Sequence, residues 1–236
     1  MGVSLAALVT ATFLLRPLED RLAVPWAVGG ANAGQLASLV GHGQVLAVLG
    51  GMRSTVASGF WLRANLAWEH RDAAATRALL DLTVAADERP AYFWLNGARM
   101  LAYDLPEWSL SSSAPAAVRR QMAGEHARLA LDFLEKGVRW HGADVALYVE
   151  MGNIHLRRTN DLAAAARCYR LAAEQPGAPY YPARIYGELL RESGRPHEAL
   201  AWLKQLLPRL PADDPAACRT VVVERIQALE RDLERK

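Results

Sequence analysis

Two stretches of the chain carry one spaced pattern: Tyr148-x-x-Met151-Gly152-x-x-His155 and Ala183-x-x-Tyr186-Gly187-x-x-Leu190. Their glycines lie 35 residues apart. Each stretch is followed by a second pattern, Ala165-x-x-x-Tyr169-x-x-Ala172 before Pro176, and Ala199-x-x-x-Leu203-x-x-Leu206 before Pro211. Apolar residues at steps of three and four read as helices, so each copy is a pair of helices. A helix pair repeated at this period cannot bury its apolar face alone and stacks on its neighbours. No other feature constrains the fold as much.

The pattern resembles the tetratricopeptide repeat, in which W-x2-L-G-x2-Y is followed by A-x3-F and then P. Gly187 to Ala199 and Ala199 to Pro211 are both twelve residues, as that family requires, and the earlier unit carries one extra residue, expected in its turn. The resemblance implies a glycine that lets helices A and B cross closely, an alanine that nests helix B on helix A, and a proline that ends the unit. It implies an all-α fold: a right-handed α-α superhelix, a TPR-like solenoid with an N-terminal hydrophobic helix and a C-terminal capping helix.

Breakers divide the chain from Ser54 onward into helices at 55–70, 73–87, 91–103, 116–139, 143–158, 161–174, 180–193, 196–209 and 214–234. The resemblance covers 145–176 and 180–211 well and fades upstream. There, Ala78, Leu82, Ala85 and Pro90 fit the second half of a unit whose first helix carries Trp61, Leu62, Leu66 and Trp68. "YFWLNGARMLAYDL" reads as another helix A, with "PEWSLSSSAP" as a long surface loop before its helix B. In 214–234, Val222, Ile226, Leu229 and Leu233 share a face, as a cap over the last repeat requires.

Residues 1–22 form a separate segment, with the uncharged run Val3–Leu15 followed by Arg16. A bilayer span needs about 20 apolar residues and a signal-peptide core about 7 to 15. Three readings compete: a short membrane anchor, a helix packed on the domain, and a cleaved signal; the anchor is preferred. Residues 23–53 hold seven glycines, too many for one helix, and read as a connector; 54–236 is the repeat domain. The whole order resembles a group of uncharacterised bacterial proteins in which a hydrophobic segment precedes a "GG-x-R…WLRA" helix, an "LAY(N/D)" helix and repeats. The matching stretches are Gly50–Arg53, Trp61–Ala64 and Leu101–Asp104. That resemblance implies a membrane-tethered scaffold and brings no catalytic residue.

Hydrophobic residues make up 52 % of the chain and the net charge is +2, so neither a disordered chain nor a general attraction to nucleic acid is expected. Two cysteines, Cys168 and Cys218, are too few for a disulfide framework or zinc site, and Cys168 reads as a buried small hydrophobe. "GGMRST" lacks the lysine of a phosphate loop; Gly50 and Gly51 read instead as a turn, with Ser54 or Thr55 capping the next helix. The six histidines form no metal spacing, His155 reads as a packed histidine, and Trp108 reads as the most exposed tryptophan. No catalytic, cofactor-binding or metal site, and no small-molecule substrate, is expected.

What is left is a groove lined by the first helices of the repeats. Aligned on Gly152 and Gly187, its positions are Val149, Asn153, Leu156 and Arg157, then Arg184, Glu188 and Arg191. Asn153 matches the asparagine by which many such repeats bond a peptide backbone. Val149 stands where some members carry a lysine for a C-terminal carboxylate, which leaves a general peptide groove. The partner-binding candidates are therefore Asn153, Arg157, Arg184, Glu188 and Arg191. The expected protein is a non-catalytic, membrane-tethered scaffold binding a protein or peptide, with its repeats in the bacterial periplasm or, alternatively, the cytoplasm. Its runner-up is a permanent subunit of a membrane or envelope complex of secretion, pilus or transport type; an enzyme is a distant third.

Overall fold

The computed structural model describes residues 52–108, 114–142 and 144–235; the expected anchor, the Gly50–Gly51 turn and nearly all of the connector lie outside them. Among these residues the secondary structure is helical, without strands. Helix α1 is Arg53–Glu69 and α2 is Ala73–Ala86. Helix α3, Ala91–Arg99, runs through a π-helical segment, Met100–Asp104, into the short α4, Leu105–Trp108. Then come α5, Ala116–His141, and α6, Val145–Ile154, which also ends in a π-segment, His155–Thr159. Helices α7 (Leu162–Ala173), α8 (Tyr180–Glu192), α9 (Pro196–Leu206) and α10 (Arg219–Glu234) complete the chain.

Local chemistry sets these boundaries. Asp72, Asp144 and Asp161 each accept from the free amides opening α2, α6 and α7, which would otherwise lack partners. Asn160 (φ 53°) and Gly194 (φ 75°) take the left-handed conformation that turns the chain after α6 and α8. Pro196 starts α9, where its missing N–H has no cost. Neither Ser54 nor Thr55 caps α1: the Ser54 hydroxyl donates instead to Asp87 at 2.8 Å, linking α1 to the α2–α3 turn.

The repeat glycines pack as the pattern implies. A Cβ on Gly152 would lie 2.7 Å from the Tyr169 ring of α7, and one on Gly187 would lie 2.7 Å from the Leu203 side chain of α9. Ala165 and Ala199 are fully buried beside them. The extra residue of the first unit is not in the turn, as expected, but inside the helix. The π-segment His155–Thr159 absorbs it by widening one turn.

Upstream, the structure reveals a third such crossing. A Cβ on Gly97 of α3 would lie 2.9 Å from the Phe133 ring of α5, and one on Gly137 of α5 would lie 2.8 Å from Trp94 of α3. The Trp94 and Phe133 rings lie 4.8 Å apart between the two glycines. The insertion between α3 and α5 is not all surface loop: Leu105 and Pro106 are buried, and residues 109–113 lie outside the described set. Trp108 packs edge-on to Trp68, with ring centroids 6.2 Å apart; the most exposed described tryptophan is Trp140.

The register of the first pair also differs from the expectation. Helix α2 buries Thr76, Leu79, Leu80, Thr83 and Val84 rather than Ala78, Leu82 and Ala85. Helix α1 buries only Ala57 and Ala64, leaving Leu62 and Leu66 exposed. Apolar residues surround α1, so periodicity does not select a face, and close approach through the small alanines does. The buried side chains form two cores, one built from α1 to α6 and one from α7 to α10. Helix α6 serves both, giving Leu147 and Ile154 to the first while Val149 and Leu156 pack on the second.

Candidate functional site

The two π-segments meet. A π-turn offsets the regular i→i−4 bonding and leaves backbone groups to be satisfied from outside the helix. Arg158, in the second π-segment, supplies that to the first: its Nε donates to the Ala102 carbonyl at 2.8 Å and its Nη2 to the Tyr103 carbonyl at 2.9 Å. Its guanidinium carbon also lies 5.1 Å from the centre of the Tyr103 ring, a cation–π distance. Tyr103 is thus held from backbone and ring at once.

Beside this junction lies an open cleft of about 390 Å³ lined by Arg99, Tyr103, Asp104, Glu150, Asn153 and Arg157. Glu150 is buried, and Arg99 donates to its Oε2 at 3.0 Å from Nε, with Nη2 at the same distance. A buried carboxylate is tolerated only with such a partner. Asn153 accepts on Oδ1 from the Tyr169 hydroxyl at 2.7 Å, and Asp104 accepts on Oδ2 from the Trp68 indole at 2.9 Å. The Tyr103 hydroxyl is buried beside the Glu150 carboxylate. Burial first, then the neighbouring Glu150 carboxylate, pushes its pKa up to about 12, so it stays protonated. Burial likewise raises Tyr169 to about 12 and keeps it a donor to Asn153.

The five candidate residues separate into two places. Asn153 and Arg157 line the cleft. Arg157 is exposed and forms no hydrogen bond or ion pair among the described residues. Arg184 instead donates to the Ala217 carbonyl at 3.3 Å, just before α10. Glu188 accepts from Arg225 of α10 and from Arg191 at 3.0 Å, and Arg191 also meets Glu192. These three serve the junction with the capping helix. Val149 and Leu156 are partly buried and pack against the second core.

Arg99, Tyr103 and Glu150 are what sequence reasoning passed over. The available signal was the dipeptide Asn96-Gly97, which matches Met151-Gly152 and Tyr186-Gly187 and marks α3 as another first helix. His155 is half-buried, and that burial lowers its pKa. Cys168 and Cys218 are free thiols, and burial pushes Cys168 up to about 11, away from reactivity. Among the described residues no cluster of His, Cys, Asp and Glu has metal-binding geometry, and no helix is long and apolar enough to cross a membrane. No protein-family model matches the chain, and no curated protein matches it. The class defined by the fold is an all-helical protein compatible with a helical-repeat architecture.

Proposed function

We propose that residues 54–236 are a right-handed, tetratricopeptide-like superhelix acting as a non-catalytic scaffold, and that it takes a segment of a partner protein in the α3–α6 cleft. The observation that carries this reading is that Asn153 and Arg157 share one open cleft with Tyr103 and Arg99, where Arg157 is exposed without an ion pair among the described residues. A groove built from first helices is the usual receiving surface of stacked helix pairs. The uncharged run Val3–Leu15 supports a membrane tether in residues 1–22; our reading has the repeats at the bacterial inner membrane on its periplasmic side.

Capture of partners by the full chain, followed by mass spectrometry, tests the scaffold. The Asn153→Ala/Arg157→Ala double variant should lose the captured protein while keeping its unfolding temperature; capture at full yield sinks the proposal. Deleting residues 1–22 should release the protein from membranes, and unchanged sedimentation with them removes the tether.

A permanent-subunit role is the second reading, favoured by the apolar side chains left open on α1 and just before it: Leu62 is 69 % exposed, Leu66 54 % and Met52 47 %. Patches of this kind mark surfaces that another chain covers. Recovery from detergent as a stable lone monomer counts against it.

A further inference from the structure

Three consecutive carbonyls of the first π-segment accept from other helices. The Leu101 carbonyl faces Nδ1 of His126, on α5, at 3.1 Å. A carbonyl only accepts, so that nitrogen carries the proton and donates. The Ala102 and Tyr103 carbonyls accept from Arg158. The cause lies four residues beyond Ala102. Pro106 is buried in the same run of helix and has no N–H, and in a regular turn its ring would press on the Ala102 carbonyl. The π-turn avoids that clash: the Leu105 N–H passes over Leu101 and donates to the Met100 carbonyl. Leu101 and Ala102 then lack the donors that positions 105 and 106 supply in a regular helix, and His126 and Arg158 take their place.

Two registers therefore compete for Met100–Trp108. A regular α-turn satisfies the Leu101 carbonyl from the backbone and needs no outside donor, but it brings back the Pro106 clash. The π-turn removes the clash and needs both side chains. The two differ by one residue, which turns the side chains beyond it by about 100° around the axis of α3. We infer that His126 and Arg158 form a register lock, which keeps the π-turn in place and with it the side of the cleft built by Tyr103 and Asp104. Asp104 reports the register, because its Oδ2 accepts from the Trp68 indole of α1 at 2.9 Å. Arg158 is not among the residues lining the cleft, so it acts as a positioning residue. The lock holds whatever the cleft receives.

Heteronuclear NMR of the indole N–H groups and amide hydrogen exchange, both on the full chain in detergent, test the lock. Trp202, which donates to the Ala183 carbonyl at 2.8 Å, is the internal control. Arg158→Ala and, more weakly, His126→Phe should move the Trp68 signal, identified by its absence in Trp68→Phe. Both should also speed amide exchange in Met100–Trp108, by about tenfold or more for Arg158→Ala. The Trp202 signal and the amides of α8 should keep their parental values. An unmoved Trp68 signal, or exchange that quickens equally in α8, overturns the lock. Should Arg158→Ala fail to fold, Arg158→Lys carries the same readouts: an ammonium keeps the charge but not the fork that spans two carbonyls. A lysine variant indistinguishable from the parent overturns the lock as well. Pro106→Ala removes the clash and restores an N–H for the Ala102 carbonyl. In that background Arg158→Ala should have less than about half its effect on exchange. An undiminished effect means that Arg158 does not compensate for the proline, and it overturns the assignment.

Discussion

The seam between α3 and α6 and the junction of α8 with α10 use the same residue types and reach opposite ends. Both place arginines against a glutamate on a first helix. At α8 every candidate finds a partner: Arg184 reaches the Ala217 carbonyl, and Glu188 is shared between Arg191 and Arg225. At α6 the carboxylate is buried and held by one arginine, the other arginine is unpaired, and an open cleft lies between. The structural difference is the π-turn. Both α3 and α6 carry one where they face each other, whereas α8 is regular throughout. The α3–α6 surface stays open with Arg157 unpaired, whereas the α8 arginines are all engaged within the chain.

The largest expected effect sharpens that contrast. Arg99→Ala leaves Glu150 buried without its cation, and we expect a loss of about 2–3 kcal/mol in chemical denaturation, below the full cost of a broken buried pair because Arg99 is half-exposed. Arg191→Ala, in an ion pair that is part-exposed on both sides and whose glutamate keeps Arg225, should cost under about 1 kcal/mol. Equal losses would break the comparison. Next come the glycine crossings. Gly152→Ala drives a methyl into the Tyr169 ring, which is fixed by its bond to Asn153, and should cost about 1–2 kcal/mol. Gly187→Ala meets the end of the Leu203 side chain, which can rotate. The gain in helix propensity, about 1 kcal/mol, then offsets most of the strain. Thermal unfolding of the two variants should therefore differ, with Gly152→Ala the lower.

A smaller effect concerns protons. The buried Asp87 accepts from Arg89 and Ser54, and these bonds, Arg89 foremost, lower its pKa from 3.8 to about 2. A carboxylate depressed in the folded state contributes stability that is complete above its unfolded pKa and is lost as pH falls toward the folded value. Stability should thus fall between about pH 4 and pH 2 with a component that Asp87→Asn removes. The exposed Glu198, whose pKa Arg195 also lowers, is the control at the other end of the molecule. Glu198→Gln should leave the same titration curve almost unchanged; a large change there would mean that solvated ion pairs matter more than burial.

Spacing along the chain is enough to place the helices and the glycine crossings of the C-terminal units. Breakers and apolar spacing are local, and Gly152, Gly187, Ala165 and Ala199 recur at a period that leaves one packing solution. The same spacing grouped Asn153 and Arg157 with Arg184, Glu188 and Arg191 on one groove, whereas the first two line the cleft and the other three meet the region of α10. Other features depend on contacts between segments far apart in the chain. Gly97 finds Phe133 across an insertion, 36 residues away instead of the 17 that separate Gly152 from Tyr169, so no fixed period reveals it. The face of α1 is chosen by the partner it meets, because apolar residues surround it. The cleft lies where the two π-segments meet, and the second of them holds the additional residue as a wider helical turn rather than in a loop. That choice depends on Arg158 of one unit bonding the backbone of another, and spacing along the chain does not encode it.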